Sequence, residues 1–191
     1  MNVSSSDGIL RFEFDEDLLR TIEDALGSMK NESRRVLKNA VNDTARDAKK
    51  DLAKKAQETY AVKQGRFTKA MKTQNATESS LTATINVTGE QPATYRTGQD
   101  KPDVLKAKVL LSSSLKGLMK SNNKAFLVKF RNGHVSVAQR YHKTRYPIKK
   151  LLSNSIPTMI GSKDRVYGVI EPEIYDTLMD NILKEIKRVT R

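Results

Sequence analysis

The sequence predicts an α+β fold: a long N-terminal helix and a C-terminal helix packed on a small, mainly antiparallel sheet. Three observations carry that reading. Apolar residues recur at three- and four-residue spacing towards both ends of the chain, the period drops to two in the middle, and an Asn-Gly pair separates two β-rich runs. At 191 residues the chain is sized for one domain. We therefore expect a single domain over 1–191, with a flexible N-terminal arm at 1–14 and an irregular basic segment at 139–165.

Each element has its own signal. Ser4-Ser5-Ser6-Asp7-Gly8, followed by Ile9, Leu10, Phe12 and Phe14, reads as a loose end leading into a short extended piece. From Asp15 the apolar positions Leu18, Leu19, Ile22, Ala25, Leu26 and Met29 take helical spacing, with Asp15 placed to cap the positive helix end. The stripe resumes with Val36, Leu37, Ala40, Val41, Thr44, Ala45, Ala48, Leu52 and Ala56, so helix is expected across roughly 15–58 with a bend near Gly27. Its alanine-rich second half suits close approach of another backbone. Lys63 to Lys72 suits a short helix with Phe67, Ala70 and Met71 inward. Leu81, Ala83, Ile85 and Val87 then alternate with polar residues as a half-buried strand. Glu90 to Pro102 reads as a loop. Leu105 to Leu111 alternates again and is expected to pair with the preceding strand. Ala125–Phe130 and Val135–Ala138 flank Asn132-Gly133, the signature of a tight hairpin. A short strand is expected over Val166 to Ile170. The terminal helix follows, with Pro172 near its first turn and Ile174, Tyr175, Leu178, Met179, Ile182, Leu183, Ile186 and Val189 on one face.

Composition narrows the chemistry. Hydrophobic residues make up 37%, enough for a modest core only. The absence of cysteine excludes disulfides, zinc ribbons, iron–sulfur clusters and thiol catalysis, and points to a reducing compartment or a particle assembled in one. No apolar run approaches the roughly 18 residues of a membrane span, so we expect a soluble, unprocessed protein without a membrane partner. Phosphate-loop, dinucleotide, metalloprotease and hydrolase-elbow motifs are missing from the sequence. His134 falls in the hairpin turn and His142 in a basic loop, without a nearby carboxylate or serine in a triad-like arrangement. We expect no catalysis, no cofactor and no metal.

The net charge of +13 is concentrated. Residues 101–150 hold thirteen Lys and Arg against Asp103 alone. Such a field attracts nucleic acid or an acidic protein surface through counterion release, without reading sequence. Aromatic residues are sparse at 6%, and no RNP pair or helix-turn-helix spacing appears. Even so, Phe130, Tyr141 and Tyr146 interleave with Arg131, Arg140 and Arg145, which suits base stacking or an arginine-rich protein interface. The candidate interface or DNA-facing residues are Arg131, Arg140, Lys143, Arg145, Lys149 and Lys150. The candidate structural residues are Asn132, Gly133, Tyr146, Pro147, Ile148 and Pro157. Tyr146 and Ile148 are expected to anchor the segment on the core, Pro147 to fix an extended path, and Arg140, Lys143 and Arg145 to face outward.

The segment Val137-Ala138-Gln139-Arg140, then Arg145-Tyr146-Pro147-Ile148-Lys149-Lys150-Leu151, then Ser155-Ile156-Pro157-Thr158-Met159 resembles the C-terminal signature of the prophage minor tail protein Z family, the tail completion proteins of long-tailed phages. Upstream, Ala40 to Ala45 resembles the family's A-x-N-x-T-A helix, and Tyr60-Ala61-Val62-Lys63, Ala76-Thr77 and the strand Leu81 to Val87 follow in the family's order. The resemblance spans about residues 36–160. It implies a structural virion protein, a tail completion or neck component at the head-proximal end of a phage tail, assembled in the host cytoplasm. The implied partners are further copies in a homo-oligomeric ring, expected to be hexameric, the neighbouring tail and neck proteins, and genomic DNA in the channel. The basic stretch would face that DNA or an acidic neighbouring ring. The alternative from the residues alone is a free, non-sequence-specific nucleic-acid-binding protein using residues 101–150.

Overall fold

The longest helix, α1 (Ser33–Thr59), forms where apolar residues recur every three or four positions without a proline or glycine to interrupt them. Val36, Leu37, Ala40, Val41, Thr44, Ala45, Ala48, Leu52 and Ala56 are buried as one stripe, as the pattern predicts. The computed structural model describes residues 2–6, 9–13, 17, 20–21, 23–24, 27, 32–63, 65–89, 105–120, 123–133 and 135–190. Residues 17, 20, 21, 23 and 24 are helical, and the Thr21 hydroxyl donates to Asp17 O at 2.9 Å. Gly27, at φ +51°, takes the left-handed conformation that a continuing right-handed helix excludes. The expected bend is therefore a break. The Glu90–Pro102 loop and His134 lie outside the described residues.

The remaining elements are β1 (Asn2–Ser6), β2 (Ile9–Glu13), α2 (Arg66–Ala70), β3 (Met71–Gln74), β4 (Ala83–Val87), β5 (Lys106–Ala107), β6 (Lys116–Gly117), β7 (Met119–Lys120), β8 (Asn123–Lys124), β9 (Phe126–Lys129), β10 (Val135–Arg140), β11 (Ile148–Lys150), α3 (Ile156–Ile160) and α4 (Tyr167–Val189). The fold is α+β with long helices and small antiparallel sheets, as expected. The expected single domain resolves into two compact units. The first takes residues 1–56, 65–89 and 156–191, the second residues 57–64 and 90–155.

In the first unit four antiparallel strands run in the order β1-β2-β4-β3. The N-terminal arm is therefore a paired hairpin, with Ser4 opposite Arg11 and Leu10 opposite Ile85. Serine-rich sequence carried no apolar signal for β1, but backbone groups pair whatever side chains they bear. In β4, Ala83, Ile85 and Val87 are buried and Thr84 and Asn86 half-buried, as alternation requires. One core cluster gathers Val36, Leu37 and Ala40 of α1, Leu81, and Leu178 and Ile182 of α4. Leu81, at φ +47°, belongs to the turn before β4 rather than to the strand.

Two expectations near the C-terminus are corrected. The Val166–Ile170 segment is the start of α4, not a strand: Val166, Tyr167 and Ile170 are buried, and Ile170 N–H donates to Val166 O at 3.1 Å. Its helical spacing continues through Ile174, Leu178, Ile182 and Glu185, leaving Pro172 in the second turn and Tyr175 and Leu183 about half exposed. Residues 139–165 are irregular only in part: they hold the end of β10, β11 and α3, joined by the non-regular stretches 141–147 and 151–155, and Ile156, Met159 and Ile160 of α3 are buried. The prolines that suggested disorder stand at element edges: Pro147 precedes β11, and Pro157 occupies the first turn of α3, where a missing N–H costs nothing.

In the second unit the expected pairing of 105–111 with 81–87 does not occur. β5 is two residues long and pairs with β6, while Leu110 bridges Tyr60. Alternation names the face of a strand but not its neighbour. The β9–β10 hairpin is present, with Val137 opposite Leu127 and Ala138 opposite Phe126. Its turn is wider than expected. Gly133 N–H donates to Phe130 O at 2.9 Å, and Gly133 alone of the Asn-Gly pair takes positive φ, at +78°.

Candidate nucleic-acid and partner interface

Between residues 105 and 155 the sequence has twelve Lys and Arg and no Asp or Glu. No carboxylate within this stretch can neutralise those cations. Acid and base meet within the first unit, in the ion pairs Arg35–Glu32, Lys38–Glu78, Arg46–Asp43, Lys50–Asp47 and Arg188–Glu185. Four of these twelve cations, Lys129, Arg140, Lys149 and Lys150, stand on a three-stranded sheet, order β11-β10-β9, and Lys143 and Arg145 in the loop between two of its strands.

Pairing sorts the sheet residues by face. Arg140 stands opposite Ile148, Gln139 opposite Lys149 and Ala138 opposite Lys150. Phe126, Ala138 and Lys150 therefore share one face with Ser136, Arg140 and Ile148. There the small Ser136 and Ala138 are buried, Arg140 Cζ lies 5.5 Å from the centre of the Phe126 ring, and Lys150 Nζ lies 4.7 Å from the centre of Phe130. On the opposite face Val137 is buried in a cluster with Leu105 and Ala125, packed by Leu118 and Leu151. This small core holds the sheet; the cations decorate it.

The loop between β10 and β11 brings most of the candidate residues together. Tyr141 N–H donates to Pro147 O at 3.2 Å, and the Thr144 hydroxyl donates to Tyr146 O at 2.7 Å, closing residues 141–147 on themselves. Below it, the buried Gln139 amide donates to Asn123 O at 2.6 Å, and Asn123 Nδ2 approaches the carbonyls of Arg140 and Tyr141 at 3.4 and 3.5 Å. Arg140, Lys143 and Arg145 are exposed, Lys149 is half-buried, Arg145 Cζ lies 5.7 Å from the Tyr146 ring centre and Lys149 Nζ 5.5 Å from that of Tyr141. Exposed cation–π contacts of this kind contribute about 0.5–1 kcal/mol each. They orient the cations without removing them from solvent.

One expectation about this loop is overturned. Tyr146 is 65% exposed and Ile148 only half-buried, so the pair does not anchor the segment on the core. The 141–147 segment is a loop rather than a strand, and alternation across two faces does not hold in a loop. The peptide before Pro147 is cis. Arg131, with Asn132 and Gly133, lies at the other end of β10, a six-residue strand and so about 20 Å away. Pro157 belongs to the first unit. The structure therefore gathers Lys143, Arg145 and Lys149 about Tyr141 and Tyr146, sends Arg140 out by the other face of the sheet, and sets Arg131 at the far end of β10.

Sequence reasoning missed a set of polar ties in the first unit. Asn42 clasps the backbone of Ala76: Ala76 N–H donates to Asn42 Oδ1 at 2.7 Å, and Asn42 Nδ2 donates to Ala76 O at 3.1 Å. The Thr44 hydroxyl donates to Ala40 O at 2.8 Å and accepts from Asn181 Nδ2 at 3.0 Å. Asn39 Nδ2 donates to Glu185 Oε2 at 3.0 Å, and Arg188 Nη1 donates to Glu185 Oε1 at 2.7 Å. Burial pushes the Glu185 pKa up, but the hydrogen bonds from Arg188 and Asn39 outweigh it and hold the carboxyl below its ordinary range. The available signal was the polar Thr44 inside an apolar helical stripe.

Nothing in these ties resembles an activated catalytic group. Burial, with the Glu171 carboxylate that its hydroxyl meets at 3.0 Å, raises the Tyr167 pKa, the opposite of what a phenolate nucleophile needs. Among the described residues no three His, Asp or Glu side chains group to hold a metal, and no helix is long and apolar enough to cross a membrane. Comparison with protein-family models, curated proteins and solved structures gives no match to this chain.

Proposed function

We propose that this chain is a non-catalytic structural protein of a phage tail, a tail completion or neck component at the head-proximal end, where copies form a ring. In this reading the first unit supplies the folded support, and the second meets an anionic neighbour, either tail and neck proteins or the DNA in the channel. The observation that supports it is the division of labour in charge. Acid and base are paired within the first unit, whereas residues 105–155 fold around a small core carrying twelve cations and no carboxylate. A surface of one sign repels further copies of itself and is neutralised by an outside partner. The residues that carry the family resemblance also have work in the fold. Asn42 and Ala76, from two of its elements, are bonded to each other, and Arg140 and Arg145, from its last element, share one loop region.

The test is composition and size. Mass spectrometry of purified virions or tail-like particles is expected to find the chain at several copies per particle, and light scattering of the purified chain is expected to show assembly beyond a monomer. Absence from such particles overturns the proposal. The exposed Tyr141 and Tyr146 favour the second reading, a free nucleic-acid-binding protein, which predicts tight, salt-dependent DNA binding by the chain and its absence from particles.

A further inference from the structure

We propose that the β10–β11 loop end of the second unit binds single-stranded nucleic acid, its phosphates held by Lys143, Arg145 and Lys149 and its unstacked bases laid on Tyr141 and Tyr146. The proposal rests on the reading of the basic unit as the chain's contact surface and gives that surface a partner.

Three observations favour this partner over an acidic protein. First, the two tyrosines are 55% and 65% exposed on a loop closed by its own hydrogen bonds, so large aromatic surface is held in water beside Lys143, Arg145 and Lys149. Second, protein interfaces are enriched in tyrosine and arginine but depleted of lysine, and their centres are apolar. This loop instead contributes Lys143, Thr144 and Arg145 between its tyrosines, with Lys149 beside them. Nucleic-acid interfaces are far more cationic. Third, Arg145 and Lys149 each approach a tyrosine ring, at 5.7 and 5.5 Å from its centre. A base stacked on that ring therefore has its own phosphate within reach of the same cation. This pairing of stacking platform and backbone clamp is how single strands are held without sequence preference. Duplex bases are already stacked on one another and offer the tyrosines no free face.

The support beneath the loop makes the arrangement persistent. The partly buried Gln139–Asn123 hydrogen bond lies beside it, and the β10–β11 pairing fixes Lys149 opposite Gln139.

The experiment is fluorescence anisotropy with the full chain and three probes: a labelled mixed-sequence DNA strand longer than the roughly 4–16 nucleotides that one small domain covers, the duplex of that strand, and poly-glutamate. The strand is expected to bind more tightly than the other two. Tyr141→Ala and Tyr146→Ala are each expected to weaken strand binding about tenfold and to leave poly-glutamate binding unchanged. Lys143→Gln with Arg145→Gln is expected to flatten the dependence of log affinity on log salt by about 0.7 for each cation removed. Arg46→Gln with Lys50→Gln, on exposed positions of α1, serves as the control and is expected to change neither. Circular dichroism verifies that each variant is folded. Equal affinity for poly-glutamate assigns the surface to an acidic protein and overturns the proposal. Tyrosine variants that bind the strand like the parent overturn it as well. Loss of the chain from purified particles would remove the tail reading and leave these binding results standing; failure to bind the strand would do the reverse.

Discussion

Replacing Glu185 with alanine tests how α1 and α4 are joined. The Glu185 side chain is 4% exposed and accepts two hydrogen bonds, one from Asn39 on α1 and one from Arg188 on α4 itself. Truncation leaves the half-buried Asn39 donor without that acceptor, at a cost of about 1–3 kcal/mol. The Arg188 side chain is 68% exposed, so solvent screens its contact with Glu185 and that contact adds little. The expected loss of about 1–3 kcal/mol lowers Tm, for a chain of this length, by about 2–12 °C. Thermal melts followed by circular dichroism measure it. Glu185→Gln adds a pH signature. The folded carboxyl titrates below the ordinary glutamate value of about 4.3. Its charged form therefore stabilises the fold fully above that value, and the stabilisation is lost as pH falls through the lower, folded-state pKa. The Tm gap between parent and Glu185→Gln should be constant from pH 5 to 7 and close on acidification. A Glu185→Ala melt within a degree of the parent, or a gap that widens below pH 4, would refute the account of this junction.

Three further outcomes are expected in the same melts. Gly168→Ala should destabilise strongly, because its new Cβ would lie 2.2 Å from Lys163 O and the start of α4 must move; an unchanged Tm contradicts the packing there. Gly133→Val should cost about 1 kcal/mol or more from backbone strain alone, since φ is +78° and no atom lies within 4 Å of the added Cβ; a neutral result removes the left-handed turn. Tyr146→Ala should stay within about 0.5 kcal/mol of the parent, as an exposed side chain does; a loss of several degrees would place Tyr146 in the core after all.

The elements that could be read from the sequence are those whose signal is local. The helical stripe from Val36 to Ala56 and the glycine of the 130–133 turn each declare themselves within a few residues, and both stand in the structure. Strand partners are not local. Ile85 shows by alternation that it faces a core, yet nothing near it specifies Leu10 and Thr73 as its cross-strand neighbours. Segment 105–111 is misassigned for that same reason: its short strand pairs with β6 and Leu110 bridges Tyr60. Segment 166–170 differs, because a short apolar run fits a strand or a buried helical turn equally well, and burial of Val166, Tyr167 and Ile170 decides for the helix. For the site, the cations were visible as composition but their grouping was not. Arg131 and Arg140 flank the same strand and end at opposite ends of it, while Arg145 and Lys149 come together through a loop whose closure depends on Thr144 and Pro147. Tyr146 was assigned to the core by alternation, a rule that needs an extended chain and fails in that loop.

Cryo-electron microscopy of a purified particle containing this protein tests the central claim most directly. The account predicts a ring of copies at the head-proximal end of the tail, with residues 105–155 against DNA or an acidic neighbouring protein. Density for the chain elsewhere in the particle, or a basic unit turned to bulk solvent in every copy, would contradict it.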